Sequence, residues 1–354
     1  MSNATPTPIS DIGEFALIDR MQKILGTSGD EDLLLGIGDD AAVYRIDDER
    51  AHVITTDALI ETVHFDRSFM PTIHLGFKAI SVNVSDVLAM NALPKYATVS
   101  LGLPNNISVE MVETFYRGVR KACEHYGMTL VGGDTTAARH LTVNVTVVGE
   151  AMQHELIFRR GARAGDALCV TGDLGGAYAG LKVLLRQREA IKEQGEAYEP
   201  DIDAYRYVIQ RQLAPNAAIE TIRDWRERGV RPNALIDISD GLGSEVHHIC
   251  RASRVGARIF AAALPVALET REVANEFEED VDLFALFGGD DYELLFSLPP
   301  DVLEDLDPQS FTQVGEVTPD EDEVVVQTPT GDTVALDASG YQHFGGNGTN
   351  GAAR

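Results

Sequence analysis

The chain has 354 residues, 44% of them hydrophobic, and a formal net charge of −27 at pH 7. That length is enough for two domains with full cores, and the apolar content excludes disorder as the default state. The charge excludes nucleic acid and anionic membrane as partners, because both require a basic footprint. No apolar run approaches the ~20 residues that span a bilayer, and Met1-Ser2-Asn3-Ala4 opens no basic and then apolar leader, so a cytoplasmic chain is expected. Cys123, Cys169 and Cys250 are odd in number, lack C-x-x-C spacing and lie among apolar residues, which reads as small core residues in a reducing compartment. Lysine is scarce beside arginine, and 56 acidic residues stand against 29 basic ones, a balance that points to a salt-rich cytoplasm. Such a surface repels an anionic substrate unless bound cations intervene.

Residues 1–12 read as a polar arm. Phe15, Leu17, Ile18, Met21 and Ile24 recur at helical spacing and predict a short amphipathic helix packed on the first domain. Leu33-Leu34-Leu35 leads into the tight turn Gly36-Ile37-Gly38-Asp39-Asp40, and residues 53–56 form a strand that ends at Asp57. Residues 75–90 are an apolar helix around Asp86, closed by Asn91 and Pro94. A strand over 94–103, a helix over 108–126 and a strand over 128–131 follow, the last ended by Gly132-Gly133-Asp134-Thr135-Thr136. Residues 141–148 alternate as a half-buried strand. The charged, glycine-punctuated run from Arg159 to Asp166 marks a boundary, giving domains at 1–150 and 151–344 and a glycine-rich tail at 345–354. In the second domain the spacing predicts a strand at 167–170, a helix at 172–185, a polar exposed stretch at 186–203 and helices at 204–213 and 216–228. A strand at 234–238, a helix at 242–253, a strand at 257–263, an acidic helix at 269–284 and strands at 293–297 and 311–317 complete it. Strands and helices mix in both halves, so the fold class is α/β or α+β in two domains.

Acidic clusters recur at the edges of the apolar segments. Asp40, Asp57, Asp86, Asp134 and Asp237, with Thr55 and Thr56, offer the hard oxygens that Mg²⁺ prefers, enough for several ions along a triphosphate. No G-x-x-x-x-G-K-[ST] and no kinase catalytic loop occurs, so metals must replace the usual phosphate-binding lysine if ATP is used. These features describe a magnesium-dependent phosphoryl-transfer enzyme. Plainer readings stand beside them. Asp39 and Asp40 are good turn formers, and Asp240 is placed to cap the helix from Leu242. A carboxylate at Asp86 on an apolar helix is costly unless paired or metal-bound, which favours a ligand over an ion pair with Lys78. Arg159 and Arg160 are phosphate grips or a solvated linker pair in equal measure. His64 follows the strand of Asp57 and is either a substrate contact or structural. The glycines of 172–176 open a helix and read better as close packing than as an anion site.

Eight segments together resemble the thiamine-monophosphate kinase family: GIGDDAAV (36–43), TTDALIETVHF (55–65), KAISVNVSDVLAMNA (78–92), GGDTT (132–136), FRRGARAGD (158–166), DISDGLGSE (237–245), GGDDYELLF (288–296) and SGYQHF (339–344). They span nearly the whole chain in order. The resemblance implies the two-domain fold of the wider aminoimidazole-ribonucleotide synthetase-like group, with an N-terminal sheet that forms a homodimer interface, and phosphorylation of thiamine monophosphate by ATP. By the same resemblance Asp40, Thr55, Thr56, Asp57, Asp86, Asp134, Asp237 and Asp240 are the magnesium ligands, and Gly133, Asp134, Arg159 and Ser239 contact ATP. His64, Asp290 and Tyr341 contact the substrate, with Asp57, Asp86, Asp134, Arg159 and Asp237 at the centre of catalysis. The family usually has Glu where this chain has Asp290. A sister enzyme that makes selenophosphate would carry a reactive cysteine near its start, and the first cysteine here is Cys123.

Overall fold

The computed structural model describes residues 7–26, 29–195, 202–304 and 306–337. The first domain carries α1 (Gly13–Leu25), β1 (Leu33–Leu35), β2 (Ala42–Arg45), β3 (Arg50–Ile60), α2 (Thr72–Ala89), β4 (Leu93–Leu103), α3 (Val109–Tyr126), β5 (Thr129–Ala137) and β6 (Thr142–Met152). Its sheet runs β1-β2-β3-β6-β4-β5, antiparallel except for the β4/β5 pair. The two-residue repeat of a strand puts Ala51, Val53, Thr55, Asp57 and Leu59 of β3 on the face that packs on α2. Thr56 and Ala58 point to the opposite face, where they are exposed with Tyr96, Ser100 and Asp134.

Helix α2 is apolar nearly all round and therefore buried. It crosses α3 at two glycines. A Cβ on Gly76 would lie 2.1 Å from Phe115 O, and one on Gly118 would lie 1.9 Å from Ile73 O, so the two helices touch through their backbones.

The second domain carries β7 (Ala167–Val170), α4 (Gly176–Gln194), α5 (Arg206–Leu213), α6 (Ile219–Arg228), β8 (Ala234–Asp237), α7 (Leu242–Ser253) and β9 (Gly256–Phe260). It continues through α8 (Leu268–Glu276), α9 (Val281–Phe287), β10 (Leu294–Leu298), α10 (Pro300–Leu303), β11 (Thr312–Thr318), β12 (Val324–Gln327) and β13 (Thr333–Ala335). Its sheet runs β13-β12-β9-β11-β7-β10-β8, antiparallel except for β9/β12. One apolar cluster runs from Val53 and Leu88 to Trp225, Leu235 and Phe296, so the domains share a core. No helix among the described residues is long and apolar enough to cross a membrane.

Several elements differ from expectation. β3 runs on past Asp57 to Ile60, and β5 includes the glycines and Asp134 rather than ending before them. α4 extends to Gln194 through a stretch read as exposed and polar. The acidic helix of 269–284 is two helices, because Glu278 takes φ +55° and Asp280 caps α9 by accepting the Asp282 N–H at 3.0 Å. α1 leaves Met21, Ile24 and Leu25 exposed, so its apolar stripe is not packed away on the first domain. The short strands β2, β12 and β13 lack enough residues to show a period.

Candidate active site

Where α2 passes the middle of β3 and the end of β8 it presents polar side chains. Asp86 accepts the Thr55 hydroxyl at 2.6 Å. Asn83 accepts the Asp57 N–H at 3.0 Å, and Ser85 donates to Asp237 Oδ2 at 2.7 Å. The turn after β1 adds Asp40, whose Oδ1 lies 3.1 Å from Arg159 Nε. Asp40, Asp86 and Asp237 thereby converge, with one carboxylate oxygen of each within 4.8 Å of the other two.

Buried carboxylates this close resist ionising together. Burial first and Asp40 second push Asp237 up to about 8. Burial, then Asp57, Asp237 and Asp40, holds Asp86 well above the usual carboxylate range. Burial also raises Asp40, against the pull of Arg159, and with Asp40 it pushes Asp39 up to about 6. Burial works against the Arg159 charge, but Asp40 and Asp39 outweigh it and hold the guanidinium charged. One arginine cannot balance this group, whereas a hard divalent cation would. Asp40 Oδ2 is buried and accepts no hydrogen bond, so the group keeps an oxygen donor that no protein hydrogen bond satisfies. The donor set fits Mg²⁺.

Two cavities of about 470 Å³ each meet at the carboxylates. The first is walled by Leu59, Ile60, Val63, His64, Val82 and Tyr292 and carries Asp57, Asp86 and Asp290. The second lies between α1 and α7, lined by Gln22, Ile37, Asp39, Arg159, Glu245 and His248. Asp237, Ser239 and Asp240 line both. His64 Nδ1 accepts the Ile60 N–H at 3.0 Å, which fixes the ring and leaves a neutral imidazole's proton on Nε2.

Most residues singled out from sequence gather here: Asp40, Thr55, Asp57, His64, Asp86, Arg159, Asp237, Ser239, Asp240 and Asp290. The Thr56 hydroxyl does not, since it lies on the uncovered sheet face and bonds Val145 O at 3.0 Å. Gly133 and Asp134 sit on β5, three strands from β3, and Asp134 is exposed on that same face. A Cβ on Gly133 would lie 1.8 Å from Val99 O, so strand packing alone demands this glycine. Tyr341 lies outside the described residues. Asp240 does not cap α7, whose N-cap is Gly241, and Lys78 pairs with Asp290 rather than Asp86. Arg160 stacks on Phe158 instead of joining Arg159. At the start of α4, Asp291 accepts the Gly175 N–H at 2.8 Å, so the anion at that helix end is the protein's own.

Sequence reasoning missed Asn83, Ser85 and Glu245. Glu245 Oε1 accepts the N–H groups of Ser239 (3.2 Å) and Asp240 (2.9 Å) and shapes the loop after β8. Asn and Ser inside an otherwise apolar helix were the available signal, because buried polar groups need partners.

The pattern described as AIR synthase related protein, N-terminal domain, matches residues 38–151, and its C-terminal counterpart matches 163–327. The chain belongs to the AIR synthase related family. Within that family it groups with the thiamine-monophosphate kinases. It is 37% identical to the thiamine-monophosphate kinase of Aquifex aeolicus (strain VF5), over 95% of this chain and 99% of that one. It is 35% identical to that of Escherichia coli (strain K12), over 94% and 98%. A solved structure described as AaThiL complexed with AMPPCP and TMP superposes with a TM-score of 0.81 at 37% identity, covering 96% of this chain and all of that one.

Proposed function

We propose that this protein transfers the terminal phosphoryl group of ATP directly to thiamine monophosphate, giving thiamine diphosphate and ADP. The observation that carries this is the junction of two cavities at Asp237, Ser239 and Asp240, beside the converging carboxylates of Asp40, Asp86 and Asp237, in a chain akin to named thiamine-monophosphate kinases. An acceptor phosphate has a second pKa of about 6, so at neutral pH it is mostly a dianion and needs no general base. What it needs is in-line placement and screening from the donor's charge.

The donor belongs in the cavity beside Arg159 and Ser239, and the acceptor in the one beside His64 and Asp290. Asp40, Asp86 and Asp237, with Asp57, Asp240 and Thr55 around them, would hold several Mg²⁺ ions, which when bound supply that screening. Arg159 adds a fixed positive charge on the donor side, oriented by Asp40. Leu59, Ile60, Val63 and Val82 keep water from the acceptor. The Asp290 carboxylate complements the positively charged thiazolium ring of thiamine.

A cytoplasmic homodimer completes the proposal. Its interface would be the uncovered face of the first sheet, where Tyr96 and Val131 are exposed. Asp134 lies on that face, so its expected metal and nucleotide role belongs to the assembled dimer. The test mixes the protein with ATP, Mg²⁺ and thiamine monophosphate and separates products by chromatography. Thiamine diphosphate with matching ADP supports the proposal; a folded protein that binds ATP and yields no diphosphate overturns it.

A further inference from the structure

α2 carries one more buried charge beyond the carboxylate group. Lys78 is 2% exposed and stands two turns before Asp86 on the same helix face, with Val82 between them. Its ammonium donates to Asp290 Oδ2 and to Gln212 O on α5, both at 3.2 Å. The other oxygen of Asp290 accepts the Tyr292 hydroxyl at 2.9 Å. Asp290 and Tyr292 take φ +61° and +52°, a conformation that costs energy in any residue but glycine. Their N–H groups are held by Ser239 O (2.7 Å) and Ile238 O (2.8 Å), in the loop that carries Asp237 and Asp240. Both oxygens and the backbone of Asp290 are therefore fixed, although it lines the acceptor cavity beside residues that gather metal.

We propose that Lys78 is a positioning residue for the phosphoryl acceptor, acting through Asp290, whose other oxygen the Tyr292 hydroxyl holds from the wall of the acceptor cavity; this rests on the function proposed above. A carboxylate held at both oxygens offers one orientation to the acceptor's ring, so little ordering remains to be done on binding. Lys78 does not line either cavity, so its effect must pass through Asp290.

The test is steady-state kinetics of the full chain with each substrate varied in turn, alongside thermal melts. Lys78→Met should raise the KM for thiamine monophosphate about tenfold, the loss expected when a hydrogen bond to a charged group is removed. The KM for ATP and kcat should stay within about twofold. Removing one partner of a buried ion pair can prevent folding, so Tyr292→Phe, which keeps the ring and the Lys78 pair, is made in parallel. It should raise the same KM about threefold and spare the ATP parameters. Unchanged KM for thiamine monophosphate in folded Tyr292→Phe, or equal losses in all parameters, overturns the positioning role. A folded unmutated protein that forms no thiamine diphosphate overturns the proposed function first and the positioning role with it.

Discussion

Ser85 and Asp237 are 152 positions apart, yet the serine hydroxyl donates to the carboxylate at 2.7 Å with both side chains buried. One lies on the central helix of the first domain and the other ends a strand of the second, so the carboxylate group exists only when the domains are docked. Ser85→Ala should lower unfolding free energy by about 1–3 kcal/mol, the range for a buried acceptor left without its donor. It should also weaken Mg²⁺ binding, because the hydroxyl favours the charged form of Asp237. Urea melts and a metal titration check both.

Asp237→Asn should separate stability from activity. Removing one of three crowded carboxylates relieves repulsion, so the metal-free protein should gain about 1 kcal/mol. Turnover should fall at least a hundredfold, an order typical of losing a group that acts on the transferring phosphoryl. Asp57→Asn should likewise stay folded and lose activity, and retained turnover would remove Asp57 from the metal ligands.

Metal binding should depend on pH with a definite sign. Asp237 is held at about 8 in the folded chain, far above an unperturbed aspartate near ~3.9. The folded state therefore binds more protons than the unfolded state over that interval, and metal-free stability falls as pH rises through it. Mg²⁺ must displace those protons, so its stabilisation should grow over the same range. Melting midpoints with and without Mg²⁺ should differ more at about pH 8.5 than at about pH 6.

His248 gives the opposite slope. Burial first, then Arg159 and Arg251, pushes this imidazole down to about 4, below the usual ~6.5. Between these values the unfolded chain takes up a proton that the folded chain refuses, so this group's contribution is present above about pH 6.5 and lost as pH falls towards about 4. His248→Gln should flatten the acid limb of a stability-against-pH curve measured beside the unmutated protein.

Salt should stabilise a chain of charge −27. Screening of self-repulsion predicts a melting midpoint that climbs between low and molar KCl. A flat response would count against a salt-rich native compartment.

Asp86 was legible because a carboxylate on an apolar helix face is costly enough to need a reason, whereas Asp40, equally good as a turn former, stood out with Asp237 only through the recurrence of acidic clusters at the edges of apolar segments. Thr55 and Thr56 are neighbours on one strand and so face opposite sides of the sheet, but only the structure shows which side carries the site. Asp134 shares a motif style with the others, but its strand runs three places away from β3. Lys78 entered the sequence reading only as an ion-pair alternative for Asp86, and its partner Asp290, 212 positions on, was not legible. The break between α8 and α9 turns on Glu278 in a left-handed conformation, without a glycine or proline to announce it.

The backbone contact at Gly76 and Gly118 makes α2 a ruler. Its zero is set against α3, its mark at Lys78 holds Asp290, and its mark at Asp86, about 15 Å beyond Gly76 at 1.5 Å per residue, holds one corner of the carboxylate group. On the proposed function, the spacing between those two marks is a length along one helix rather than a compromise between two pockets. A single methyl group at either glycine would displace every mark together relative to Asp40, Asp237 and Asp290, although no residue of the site itself had changed.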